Sequence, residues 1–343
     1  MKAVVFRGPG DLRVEEVPEP KLLEPGDAIV EVRATAICGA DLFPYHGLTP
    51  GFEAGTILGH EFVGVVSEVG PGVEGHRPGD RVVCGSTLTD GTCAHCRAGR
   101  PTQCLDRGLF GYSGVYRRLD GGQAERVRVP NADRCLWQLP ETVSNEAAVF
   151  VADILPTGFN AVVRGEVSSG ETVVVLGCGP VGLMAVLCAV PRAGRVIGVD
   201  GVPDRRVLAG KLGAVAVEPA AAQGLVAELT DGLGADVVIE AAGTAPALHA
   251  ALELARGRGT VSVVGAHFER DHPLDNLTMF EKELTLRFSW GDPTSLHGEL
   301  LELVEAGQLD PTPVITHTLP LAEAVEGYRM FDERAATKVV LTA

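Results

Sequence analysis

Two patterns of apolar and polar positions divide the chain. Up to about residue 150, short β-branched runs are separated by glycine- and proline-rich turns. This predicts short strands within 1–35, broken at Pro18, Pro20 and Pro25, then strands at 62–69 and, past Pro78, Gly79 and Asp80, at 81–83. Together they read as an irregular β-barrel or sandwich. From about 150 to 290 the pattern changes to strands alternating with helical periodicity: strands at 173–176, 195–200, 214–218, 235–240, 259–265 and 284–289, with helices at 183–190, 221–231 and 246–255 between them. Regular alternation of this kind implies an α/β unit with a doubly wound parallel sheet. Beyond 290 the pattern predicts an amphipathic helix at 296–306, a short strand near Val314 and Ile315, a helix at 321–332 and a strand at 338–341. That tail has no further glycine turn and is expected to return to the first domain.

Composition narrows the class. A chain of 343 residues with 45% apolar content is long enough for two domains with sizeable cores. No apolar run approaches bilayer-spanning length. The segment from Met1 to Gly8 turns polar too soon for a signal peptide and reads as a first strand. A net charge of −16 argues against nucleic acid or an anionic membrane as partner. The 8 cysteines are few for a disulfide scaffold, and their clustering points to metal binding in a reducing cytoplasm.

Three stretches carry chemistry. In Ile57–Val66 an apolar run is interrupted by Gly59, His60 and Glu61. A buried imidazole and carboxylate with nothing to bind cost free energy. Cys38 closes an earlier apolar segment and Asp153 follows a later one, so thiolate, imidazole and carboxylate donors suited to zinc are available. Three protein ligands with one open position mark a catalytic zinc. The second stretch holds Cys93, Cys96 and Cys104 on a glycine-rich loop, at intervals of three and eight residues. Crowded thiolates repel unless a cation neutralises them, which predicts a structural zinc. Asp90 is the expected fourth ligand, with Cys84 or His95 as substitutes. In the third, a strand runs into Gly177, Gly179, Pro180, Val181 and Gly182, a Gly-x-Gly-x-x-Gly turn leading into a helix, and Asp200 ends the next strand. This pattern predicts a dinucleotide site: glycines admit the pyrophosphate, the helix N-terminus stabilises it, and Asp200 accepts from the ribose hydroxyls, favouring NAD over NADP. Arg205 and Arg206 could instead reach a 2′-phosphate or simply face solvent.

The three motifs in this order resemble the zinc-dependent medium-chain alcohol dehydrogenases over essentially the whole chain. The resemblance is carried by Gly59, His60, Glu61, Gly64, Gly70 and Val73, by Cys38, Gly39 and Asp41, and by the segment from Val151 to Gly158. It implies a Rossmann sheet (154–289) inserted in a mainly β, GroES-like catalytic domain (1–153 and 290–343). It further implies a catalytic zinc on Cys38, His60 and Asp153 with Glu61 as a nearby or exchanging ligand, Asp41 orienting the imidazole, and Thr157, Val264, Gly265 and Ala266 facing the nicotinamide. Arg205 falls near the adenosine and Lys338 on the pyrophosphate. The implied activity is zinc-assisted hydride transfer between a small alcohol and NAD, giving a ketone or aldehyde, in a homodimer or homotetramer with two zinc ions per subunit. Two positions depart from the family: Ala40 and Phe43 stand where a hydroxyl and an imidazole usually relay the alcohol proton. They keep open a reductase of imines or conjugated C=C bonds; a non-catalytic NAD-binding protein would gain nothing from an open zinc site. Ser86, Ser289 and His267 point to a polyol, sugar or cyclitol.

Overall fold

The computed structural model describes residues 1–267 and 274–343, which form two compact units: Met1–Pro156 with Asp292–Ala343, and Thr157–Gly291. These divisions fall a few residues later than the expected domain boundaries.

The first unit is built on a seven-stranded sheet. Its path runs His317–Pro320, Val339–Thr342, Ala28–Ile37, Phe62–Val69, Arg81–Cys84, Leu136–Gln138, with Arg126–Val129 also pairing to Ala28–Ile37. Every pair except the first is antiparallel. The tail does return to this unit: Val339–Thr342 pairs with the strand that ends before Cys38. The apolar faces close over two clusters, one around Phe62, Phe110 and Leu136, the other around Ile37, Leu58, Tyr328 and Val339.

The second unit is a six-stranded, wholly parallel sheet. Its order is Val215–Val217, Arg195–Val199, Thr172–Leu176, Ala235–Glu240, Ala255–Val263, Thr285–Phe288. The order reverses between the third and fourth of these, and ligands of such sheets lie outside the carboxyl ends of the strands at that point.

Two local expectations need correction. The strand near Val314 and Ile315 is a 3-10 turn, Thr312–Val314, because Pro311 and Pro313 fix φ and remove N–H groups; the strand forms at His317–Pro320 instead. Three helices also begin earlier than their apolar periodicity suggests, at Pro180, Pro219 and Pro293, and a further helix, Pro203–Lys211, stands where the pattern gave none. Proline is preset for a helix's first position, where its missing N–H has no intrahelical partner anyway. Among the described residues, no single helix is long and apolar enough to cross a membrane.

Candidate active site

Strand pairing assembles the first site. Antiparallel pairing of Thr35 with Phe62 sets Cys38 and Glu61 at neighbouring strand ends, and Ala36 N donates to Glu61 O at 3.0 Å. On the other side, Val339 pairs with Ile37, which brings Lys338 to the same end. Asp153 arrives after the 3-10 turn Val149–Ala152, anchored by Ser86 N donating to Ala152 O at 2.9 Å.

The four side chains converge. Ligand atoms of Cys38, His60, Glu61 and Asp153 all lie within 4.8 Å of one another. Asp153 Oδ2 is 3.5 Å from His60 Nε2 and 3.9 Å from Cys38 Sγ, while Asp153 Oδ1 accepts from the Ser86 hydroxyl at 2.8 Å. Behind them, Asp41 Oδ1 is 3.2 Å from His60 Nδ1, and Asp41 Oδ2 accepts from Cys38 N at 3.0 Å. The Lys338 ammonium donates to Glu61 Oε2 and to Ile37 O.

Burial sets the electrostatics. It pushes the Cys38 thiol up to about 11, with the Glu61 carboxylate adding to the effect. Burial also raises Glu61 against the pull of Lys338. At His60, burial lowers the pKa, but Asp41, Cys38 and Asp153 outweigh it and hold the ring well above its ordinary value. A thiol, an imidazole and two carboxylates crowded together, with only Asp153 partly exposed, are a poor set of neighbours for one another. Glu61 Oε1 is buried with no hydrogen-bond partner among the described residues. A divalent cation resolves each of these costs, and the mixed S, N, O donor set fits zinc.

The second cluster is the loop. One ligand atom each from Asp90, Cys93, Cys96 and Cys104 lies within the same 4.8 Å limit. Asp90 Oδ1 accepts from Thr92 N and Cys93 N at 2.7 and 2.9 Å, bonds that hold its carboxyl well below the usual range. Backbone donors reach the sulfurs too, Asp90 N to Cys104 at 3.3 Å and Cys96 N to Cys93 at 3.5 Å. Backbone N–H groups aimed at sulfur are the setting thiolates need, and this set can close a tetrahedral zinc site. Cys84 and His95 fall outside the cluster, leaving Asp90 as the fourth member.

In the second unit, Gly177 has φ +89 and no room for a Cβ, which would meet Ala242 N at 2.8 Å. A Cβ on Gly182 would sit 1.8 Å from Gly177 O, so that glycine serves close helix–strand packing. Gly179 is open apart from Arg205 Nη1 at 3.8 Å. Pro180, Val181 and Gly182 form the first turn of helix Pro180–Ala189. Asp200 accepts from Cys178 N at 2.8 Å and Val202 N at 2.7 Å, with Arg205 Nη1 4.0 Å away. Arg206 instead donates to the carbonyls of Asp200 and Gly201. Thr157 lies on helix Ile154–Arg164; Val264 N and Gly265 N donate to Glu240 O, with Ala266 next in the chain.

Known proteins place the chain. The sequence model described as "Alcohol dehydrogenase GroES-like domain" matches residues 24–141, and that described as "Zinc-binding dehydrogenase" matches 180–306. Zinc-type alcohol dehydrogenase B of Aspergillus flavus is 39% identical over all of this chain and 81% of its own length. The solved structure of an alcohol dehydrogenase from Thermus sp. ATN1 superposes with TM-score 0.95 at 39% identity, covering 100% of this chain and 99% of that one. A sorbitol dehydrogenase of Halalkalibacterium halodurans is 31% identical over 100% of this chain and 99% of its own length. The chain belongs to the zinc-dependent medium-chain alcohol dehydrogenases.

As a member of that family it is an alcohol oxidoreductase with a GroES-like domain and a Rossmann-type domain. Several side chains in this dehydrogenase have partners the sequence did not foretell. Lys338 is wholly buried against Glu61, and Ser86 is bound to Asp153 rather than simply lining a cleft. Ser289 lies 3.5 Å from Val263 O and His267 Nε2 lies 2.9 Å from Glu240 Oε2, so all three polar groups behind the polyol expectation have partners within the chain. His46 faces Asp332 at 2.8 Å. Gln123, absent from the motif reading, is buried behind His60; its only signal in the sequence is a polar residue after the pair Gly121 and Gly122.

Proposed function

We propose that this dehydrogenase oxidises a small alcohol with NAD as the hydride acceptor, using a zinc ion held by Cys38, His60 and Asp153, with Glu61 beside them, and a second zinc held by Asp90, Cys93, Cys96 and Cys104. The observation that carries the reading is the convergence of Cys38, His60 and Asp153 in a buried pocket backed by Asp41. When bound there, zinc supplies a Lewis acid that makes an alcohol hydroxyl easier to deprotonate.

The chain's own residues do the rest. Asp41 opposite Nδ1 favours the tautomer protonated there, which leaves Nε2 as the ligand atom. Ser86 occupies Oδ1 of Asp153 and so turns Oδ2 towards His60 and Cys38. Lys338 balances the charge of Glu61. Asp200 presents a carboxylate where a 2′-phosphate would be repelled, and Arg206 is engaged with backbone carbonyls, which supports NAD over NADP. The identity of the sorbitol dehydrogenase relative supports a polyol-type substrate more than Ser86, Ser289 and His267 do. Thr157, Val264, Gly265, Ala266 and Arg205 are the expected contacts of the cofactor.

Following NADH formation with a panel of polyols and simple alcohols tests the proposal. Oxidation of at least one alcohol, abolished by Cys38→Ala, supports it. One observation favours a second reading: Ala40 lacks a hydroxyl, and its carbonyl is taken by the Tyr112 hydroxyl. Reduction of an imine or conjugated C=C bond by NADH, with no alcohol turned over, would establish the reductase instead.

A further inference from the structure

Gln123 is wholly buried and Tyr328 is 1% exposed, and together they extend the site inward. The Tyr328 hydroxyl donates to Gln123 Oε1 at 2.8 Å. Gln123 Nε2 is 3.3 Å from Asp41 Oδ2 and 3.3 Å from Ala36 O. Only one orientation of this amide works. Turned over, Oε1 would face a carboxylate and a carbonyl with no hydrogen between them. Asp41 carries the arrangement forward: Oδ2 takes N–H groups from Gln123 and Cys38, which leaves Oδ1 to His60.

The backbone makes this arrangement stiff. Gln123 N donates to Leu58 O at 2.9 Å, and Val4 N donates to Gln123 O at 2.8 Å. A Cβ on Gly121 would lie 2.2 Å from Gly59 O, and one on Gly59, where φ is +97, would lie 2.5 Å from Gln123 Cγ. The segment from Gly121 to Gln123 is therefore pressed flat on the chain just before His60. Tyr328 sits on helix Ala324–Asp332, in the apolar cluster with Ile37, Leu58 and Val339.

We propose that Gln123, oriented by Tyr328, is a positioning residue for the catalytic metal: its amide N–H fixes Asp41 so that Oδ1 faces His60 Nδ1 and the imidazole is presented to zinc through Nε2. The inference rests on the zinc reading of Cys38, His60 and Asp153. A buried carboxylate deprived of one of two donors loses both stability and direction, and the loss passes to the imidazole it faces.

Zinc release from the full-length protein to a chromogenic chelator tests this. Wild type should give two phases, and the one missing in Cys38→Ala belongs to the catalytic site. Gln123→Met, similar in length but without donors, should weaken that site about 10–100-fold, as loss of outer hydrogen bonds to metal ligands does. The loop zinc should stay in place, and excess zinc should restore activity. Tyr328→Phe should have a smaller effect in the same direction, and adding it to Gln123→Met should change nothing further, since Tyr328 acts only through Gln123. Unchanged catalytic-site affinity in both single variants, or losses that simply add in the double variant, would overturn the proposal. If Gln123→Met also sheds the loop zinc, its fold has failed and Tyr328→Phe, which removes a single oxygen, decides by the same criterion. A wild type with no phase sensitive to Cys38→Ala would sink the zinc reading itself, and this inference with it.

Discussion

Ser86 Oγ donates to Asp153 Oδ1 at 2.8 Å, and the other oxygen of that carboxylate is the one that faces His60 and Cys38. One hydroxyl thus decides which lone pairs of Asp153 are available to a cation. Ser86→Ala removes this restraint on the carboxylate and should lower catalytic-site zinc affinity and kcat/KM together by about tenfold or more. Metal titration alongside steady-state kinetics checks this. Loss of activity at full zinc occupancy would show that Ser86 acts on substrate instead.

Metal analysis should find two zinc ions per chain. Cys104→Ala should lose the loop zinc alone, because Cys104 is its most buried ligand and the acceptor of Asp90 N. A loss of about 3 kcal/mol in a unit of this size lowers Tm by roughly 6–12 °C. Calorimetry with and without chelator reads that shift, and one zinc or none in the native protein would refute the two-site assignment.

The pH dependence of metal binding follows from Cys38. Burial places the thiol at about 11 when no cation offsets it, whereas zinc takes the thiolate. Below that value each bound zinc must displace the thiol proton, so affinity should rise with pH by about tenfold per unit for each proton released, and more steeply where the raised His60 ring must give up its proton as well. Competition titrations of the metal-free protein at pH 7 and 8 measure the slope. A flat profile would mean that Cys38 is not a ligand.

Cofactor choice should turn on Asp200. The wild type should use NAD better than NADP. Asp200→Ala also removes the acceptor for Cys178 N and Val202 N, so it should raise KM for both cofactors while eroding the NAD preference by about tenfold, or 1.4 kcal/mol. The ratio of kcat/KM for the two cofactors is the measurement; an NADP preference in the wild type would overturn the assignment.

Ala40→Ser places a hydroxyl where the family's relay begins. Simple alcohols, which have no neighbouring hydroxyl of their own, should then turn over faster, within the two to four orders of magnitude (roughly 10²–10⁴) that general acid–base help supplies. A polar natural substrate should change little. Stopped-flow pH profiles on both substrate classes separate these outcomes, and equal responses would place proton loss elsewhere.

Much of this was legible in the sequence because metal ligands and phosphate turns have fixed local spacing. Cys93, Cys96 and Cys104 lie on one loop, and Gly177 to Gly182 on one turn, so short-range pattern sufficed. The parallel sheet followed from alternating periodicity. The Lys338–Glu61 contact and the role of Gln123 could not be read because the partners are remote in sequence: Lys338 meets Glu61 through the pairing of Val339 with Ile37, and Gln123 meets Asp41 from a distant segment with no periodicity. The starts at Pro180 and Pro293 escaped for a simpler reason: apolar periodicity shows only further along each helix, while these prolines occupy its first turn.

Gly59, Gly111 and Gly121 meet backbone to backbone beside His60, each with a main-chain atom closer than 3 Å to where a Cβ would stand. None of them has a functional group to offer. In a saturation scan scored by zinc retention, these silent positions should nonetheless tolerate as few residues as Cys38 or His60. The information that specifies the metal site is therefore held partly in atoms the chain leaves out.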